Sequence, residues 1–290
     1  MTSLYLVAIF VLLFAIKKTR DFAICFLPWL IYAVAYDSMR FYPNYLVNDI
    51  DTGHLYDAEK KLFGIGVSGI NEVKMAAAAC HGSAEAIWES GKLIPGEWFA
   101  IHHVAWADLL AGIFYLCWIP VPALFAVYLY FKGERKWMTR FSWAFLIVNL
   151  LGFAGYYIHP ASPPWYVMKY GFNAIVGTPG NVAGFGRFDA MTGLNIFHGM
   201  YSANANVFAA IPSMHAAYLF VTTIYAIMSK RRPYTICLFA FICLGIWWTA
   251  VYMGHHYIID IILGVITSII GITLWELIWH YGINRNKANC

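Results

Sequence analysis

The stretch "MGHHYIIDIILG" (Met253 to Gly264) places His255, His256 and Asp260 at the head of an otherwise apolar run. His256 and Asp260 are four residues apart, so on a helix they share one face and the carboxylate can accept a hydrogen bond from the imidazole. His255 then points elsewhere, to a headgroup or into the cap of the turn. A second stretch, "AAIPSMHAAYLFV" (Ala209 to Val221), sets His215 one turn into another apolar run, behind a helix start at Pro212 and Ser213. An imidazole held by a carboxylate at one nitrogen can act through the other as a nucleophile or base. Three ionisable groups at membrane depth are candidates for function because their burial there is costly. Two plainer readings stand beside this one. A lone histidine near a helix end is commonly an interfacial or capping residue. A metal held by His215, His256 and Asp260 has suitable ligand types, although no HExxH or cysteine pair accompanies them.

The elements that must position these groups are membrane spans. Of 290 residues, 61% are hydrophobic and 12% charged, far from the balance of a soluble domain. Apolar stretches long enough to cross or nearly cross a bilayer lie near 3–16, 22–36, 105–131, 141–158, 213–229, 234–253 and 256–279. The predicted fold is an all-α polytopic bundle of six or seven transmembrane helices. The first stretch is a short span rather than a signal peptide, because Lys17, Lys18 and Arg20 follow it instead of preceding it. The six cysteines form no disulfide framework, since Cys25, Cys117, Cys237 and Cys243 sit in apolar runs and Cys80 and Cys290 are isolated. The net charge of +4 is too small to argue for a nucleic-acid partner.

Charge orients the bundle. Twelve of the 19 Lys and Arg fall in alternate loops or at the C-terminus, in the groups Lys17, Lys18, Arg20; Lys132, Arg135, Lys136, Arg140; Lys230, Arg231, Arg232; and Arg285, Lys287. The positive-inside rule puts these in the cytoplasm and the N-terminus outside. His215 and His256 then begin spans from the same, outer face and can converge. Two longer connections, 37–104 and 159–212, share that face. The first holds "HLYDAEKKLFGI" and "NEVKMAAAACHG", read as amphipathic surface helices. The second is irregular, rich in Gly, Pro and Asn. The chain is read as 1–104, spans plus surface segment, followed by a catalytic bundle at 105–290.

"IPSMHAA" and "HHYIIDIILG" resemble the second and third signature motifs of the type-2 phosphatidic acid phosphatase superfamily, in the variant form of inositol phosphorylceramide synthases. "SPPWY" (Ser162 to Tyr166), "GFGRFDAMTG" (Gly184 to Gly193), "VFAAIPSMH" (Val207 to His215) and "HLYDAEKKLFGI" are similar to that group in content and order. The resemblance implies that His256 is a phosphorus nucleophile, Asp260 its orienter and His215 the acid and base. It implies transfer of phosphoinositol from phosphatidylinositol to ceramide, with no cofactor or metal. The runner-up is a lipid-phosphate phosphatase of the same superfamily. A transporter is disfavoured because the spans carry few charges, Glu276 being the main one in the last.

Phosphoryl transfer also needs cations or aligned amides around the phosphate. The helix start at Ser213, Met214 and His215 offers amides. The superfamily's common KxxxxxxRP motif and an arginine six residues before the nucleophile are absent here, and position 250 is Ala250. The remaining outer cations are Arg40, Lys60, Lys61, Lys74, Lys92, Lys169 and Arg187. Arg187, inside "GFGRFD", is the first choice and Lys169 the second. His255 and Tyr166 complete the expected substrate contacts; His102, His103 and Asp108 are read as interfacial. Compact length favours a bacterial inner membrane, with the site on the non-cytoplasmic face.

Overall fold

The computed structural model describes residues 2–202 and 206–284; Arg285, Lys287 and Cys290 lie outside them. Helices α1 (Thr2–Ala15) and α2 (Arg20–Ser38) form an antiparallel pair. Four short helices follow: α3 (His54–Phe63), α4 (Ile70–Ala79), α5 (Ala84–Ser90) and α6 (Pro95–Ile101). The expected surface pieces are α3 and α4. Strands β1 (Ile65–Gly66) and β2 (Lys92–Leu93) pair antiparallel among them, with Ile65 opposite Leu93. The bundle continues through α7 (Ala105–Leu116), α8 (Pro120–Phe131) and α9 (Arg135–Ile158). After α10 (Pro164–Tyr170), α11 (Phe185–Thr192) and α12 (Ile196–Ser202) come α13 (Met214–Met228), α14 (Pro233–Tyr252) and α15 (Ile258–Leu277).

The architecture is the expected all-α membrane bundle. Among the described residues, five stretches are long and apolar enough to cross a bilayer: Arg20–Phe41, Ala105–Phe131, Arg135–Ile158, Pro233–Tyr252 and Ile258–Gly282. Ser3–Ala15 and Met214–Met228 are shorter apolar helices. Two details differ from the linear reading. The 105–131 run breaks between α7 and α8, because Pro120 has no N–H and its ring conflicts with the carbonyl four residues back. The 15-residue α13 covers only about 22 Å at helical rise. It is preceded by a non-helical run in which Val207, Phe208, Ala210 and Ile211 are buried in protein. Irregular backbone is tolerated at membrane depth under such cover; here Ala161 N–H donates to Phe208 C=O and Ala210 N–H to Ala161 C=O.

The main core lies between α9, α13, α14 and α15, where Phe141, Phe145, Tyr218 and Leu219 are nearly or fully buried. Helix α2 packs on α9, with Trp29 stacked on Phe145 at 4.5 Å. The three basic turns are cross-braced: Arg231 chelates Glu134 at 3.0 and 2.6 Å, Arg135 pairs with Asp21 at 2.8 Å, and Arg140 pairs with Glu276. Glu276 also accepts from the Tyr225 hydroxyl at 2.6 Å, so the one acidic residue deep in the last span is neutralised internally.

Candidate active site

Helix α15 begins with Tyr257 extended before it, leaving first-turn amides without intrahelical acceptors. Two carboxylates fill them. Asp260 Oδ2 accepts from Tyr257 N–H at 2.9 Å, and Glu59 of α3 accepts from Ile258 N–H at 2.9 Å and Ile259 N–H at 3.2 Å. Negative charge here is also favoured by the helix dipole. The same Asp260 Oδ2 faces His256 Nδ1 at 3.3 Å, so the capping carboxylate is the one that orients the imidazole.

The turn carrying the histidines is fastened from outside. His255 N–H and His256 N–H both donate to Ala250 C=O at 3.0 Å, which requires Gly254 at φ +71°, where a side chain would be strained. Gly254 C=O accepts from Trp165 N–H at 2.9 Å, and Met253 C=O from Gly184 N–H at 3.0 Å. The "SPPWY" and "GFGRFD" segments therefore hold the turn through its backbone.

His215 reaches the same point from α13. Ser213 caps that helix, its Oγ accepting from Ala216 N–H at 3.4 Å, and its own N–H donates to Asp260 C=O at 2.9 Å. Of the three amides expected to face a phosphate, that of Ser213 is thus committed to Asp260. This approach of α13 to α15 needs Gly264, where an added Cβ would stand 2.2 Å from Ser213 O. His215 Nδ1 then lies 3.0 Å from His256 Nε2, and its ring packs on Tyr115 and Trp118, centroids 4.9 and 4.5 Å away. Trp118 sits at the α7–α8 break. With Asp260 ionised, His256 Nδ1–H donates to it, leaving a lone pair on Nε2 that accepts from His215 Nδ1–H; this tautomer is assigned from the hydrogen-bond network.

Burial pushes the His256 pKa down to about 4 and that of His255 down to about 3. Both are neutral near pH 7. His255 turns away from His256: its Nε2 meets Val182 C=O at 3.0 Å, and its ring stacks on Tyr201 at 4.5 Å. The Tyr166 hydroxyl donates to Asn173 C=O and accepts from Ile175 N–H, both at 2.8 Å, bracing a loop.

Arg187, on α11, pairs with Asp108 at 2.8 Å, and its guanidinium reaches Met253 Sδ at 3.6 Å under the histidine turn. Lys169 lies over the Tyr170 ring and has no carboxylate within ion-pair distance among the described residues. Both line a cavity floored by Met253 and Gly254. It shares Trp165 and Asn181 with a smaller cavity over His215, His255 and His256. His102 stacks on Trp98 and His103 approaches Asp108 at 3.6 Å; neither lines those two cavities. Among the described residues, no group of three His, Cys, Asp or Glu side chains is arranged to hold a metal ion.

Glu59, Trp118 and Trp165 touch the cluster or its turn, and spacing alone does not single them out. Glu59 had a local signal: it shares the buried face of α3 with Leu55 and Tyr56, an odd place for an acid without a partner.

These observations define a helical membrane protein with an interlocked His-His-Asp cluster at one end of its bundle. The PAP2 superfamily profile matches residues 93–274. The chain is 51% identical over 288 residues to the phosphoinositol dihydroceramide synthase of Bacteroides thetaiotaomicron, covering 99% of this chain and 85% of that protein. It is 27% identical over 187 residues to the inositol phosphorylceramide synthase of Candida albicans, covering 59% of this chain and 37% of that one. To the catalytic subunit of the Saccharomyces cerevisiae inositol phosphorylceramide synthase it is 31% identical over 127 residues, covering 42% and 30%. No solved structure matches. The chain belongs to the PAP2 superfamily. Within it, this is a membrane-embedded lipid phosphotransferase, the class of enzyme those synthases represent.

Proposed function

We propose that this protein moves phosphoinositol from phosphatidylinositol to the primary hydroxyl of a ceramide, releasing diacylglycerol, through a phosphohistidine on His256. The observation that carries this reading is the chain His215 Nδ1, His256 Nε2, His256 Nδ1, Asp260 Oδ2, at 3.0 and 3.3 Å. It supports a neutral nucleophile whose tautomer is fixed by a buried carboxylate. The direct contact between the imidazoles occupies the line of attack, so the incoming phosphate displaces His215 from Nε2. His256 Nε2 then bonds to phosphorus as the bond to the glyceride oxygen breaks, and Asp260 stabilises the imidazolium. His215, charged as imidazolium once the phosphate anion is bound beside it, delivers a proton to the departing oxygen and is left neutral. In the second half, His215 takes the proton of the ceramide hydroxyl, whose oxygen bonds to phosphorus as the P–N bond breaks. Lys169 and Arg187 supply positive charge on the headgroup side; Lys169 is the stronger candidate because Asp108 already neutralises Arg187. In this reading the helices of 105–290 carry the chemistry, and 1–104 contributes the α3 clamp. The basic turns at the opposite end support a site on the non-cytoplasmic face.

Purified protein given phosphatidylinositol and ceramide is expected to form phosphoinositol-ceramide, and His256→Ala to lower the rate by about 10³-fold or more. Release of inositol phosphate or inorganic phosphate at the same rate without ceramide would turn the reading into a phosphatase. Radiolabel from the donor phosphate is expected on His256 after a quench that spares acid-labile P–N bonds.

A further inference from the structure

A groove of about 780 Å³ lies at the other end of α14, between α14 and α8. A helix of this length spans about 30 Å, so the groove is a membrane thickness away from His256. Its walls are apolar: Leu124 of α8 and Leu238 of α14 stand open, 65% and 52% exposed. Phe125 and Phe239 close the floor edge to face, centroids 5.5 Å apart. From Val121 to Lys132 the groove runs about 16 Å at helical rise, half of a hydrocarbon core about 30 Å thick. That is the depth of one leaflet.

Its mouth is cationic. Lys132 ends α8, while Lys230, Arg231 and Arg232 form the turn before α14. Arg231 is neutralised by Glu134, and that chelate locks the two turns together. Lys132, Lys230 and Arg232 have no carboxylate within ion-pair distance among the described residues. Lys132 and Arg232 lie over the rings of Tyr128 and Tyr234, each at 6.0 Å, which keeps them at the rim. A topology signal requires only that these turns be basic. It does not require cations from two separate turns to converge on one leaflet-deep apolar groove.

We propose that this groove is a binding site for one anionic phospholipid, with the headgroup phosphate held by Lys132, Lys230 and Arg232 and an acyl chain laid along Leu124, Leu238 and Ile242. Basic pockets between transmembrane helices recognise acidic headgroups in this way.

The test uses the full chain in detergent. Phosphatidylglycerol is expected to raise the thermal unfolding midpoint by about 4 °C, and phosphatidylcholine or inorganic phosphate to give no comparable rise. Native mass spectrometry is expected to show one retained phosphatidylglycerol. The gain should vanish in Lys132→Gln/Lys230→Gln/Arg232→Gln and, with charge unaltered, in the groove-filling Leu124→Trp/Ile242→Trp. It should persist in His256→Ala. An equal gain from phosphatidylcholine, an equal gain from phosphate, or a gain surviving both groove variants would overturn the assignment.

Discussion

The two ends of this bundle treat charge in opposite ways. At the histidine end, His255, His256, Asp260 and Glu59 are at most 6% exposed, and backbone amides and carbonyls meet them as often as side chains do. At the basic end, charges meet other side chains, in pairs that run from the shielded Arg140–Glu276, 13% and 20% exposed, to the open Arg135–Asp21, 43% and 63% exposed. Buried polar groups are expensive unless fully bonded, so the first end must be preorganised by the fold. Exposed pairs are screened and contribute little. One end is thus built to hold a geometry, while the other gathers charge.

The contrast can be broken most strongly at the imidazole pair. His215→Ala is expected to slow phosphoinositol transfer by about 10²- to 10⁴-fold with little change in thermal stability. A variant within threefold of the parent would remove His215 from the chemistry.

Next comes the approach of α13 to α15. Gly264→Ala puts a methyl 2.2 Å from Ser213 O, so the helices must separate. The expected destabilisation is about 1–3 kcal/mol, with activity falling further than stability, because the Ser213–Asp260 bond and the His215–His256 contact share that approach. An unchanged melting temperature together with unchanged turnover would show that the contact is not constrained by Gly264.

Glu59 gives a smaller effect with a distinctive pH signature. Burial, assisted by nearby Asp260, raises its pKa to about 7 against the pull of two amide donors. A carboxyl held above its ordinary value of 4.5 contributes stability that is fully present below that value and lost as pH rises through about 7. The α15 cap, in contrast, is strongest when Glu59 is ionised. Glu59→Gln is expected to flatten the change of melting temperature between pH 5 and 8 and to lower kcat about tenfold with KM little altered. Identical pH profiles in both proteins would remove Glu59 as a positioning group.

At the other end, Arg135→Gln is expected to change stability by less than about 0.5 kcal/mol, and less still in high salt. A loss as large as that of Gly264→Ala would erase the distinction between the two ends.

Much of this was legible one residue at a time. Seven apolar stretches, the alternate basic turns and the amphipathic piece at "HLYDAEKKLFGI" are properties of local composition and period, and the structure has helices at each apolar stretch and at that piece. The motifs around His215 and His256 point to the side chains that the structure brings together. The role of their neighbours was not legible, because a polar group's partner depends on which elements pack against it. Arg187 reads as an outer cation along the chain, and only packing sets Asp108, 79 residues away, beside it. His255 reads equally as a headgroup contact or a cap of the turn, and packing gives it Tyr201 and Val182 C=O as partners.

The sequence by itself determined a helical membrane protein, the sorting of its charges and the residue types of its site, since hydrophobic length and charge asymmetry act along the chain. Only the tertiary structure decided that His215 and His256 touch across 41 residues and that Glu59 clamps α15 across 199. Those contacts exist because helices far apart in the chain are driven together by burial, and hydrogen bonds within reach then select their partners.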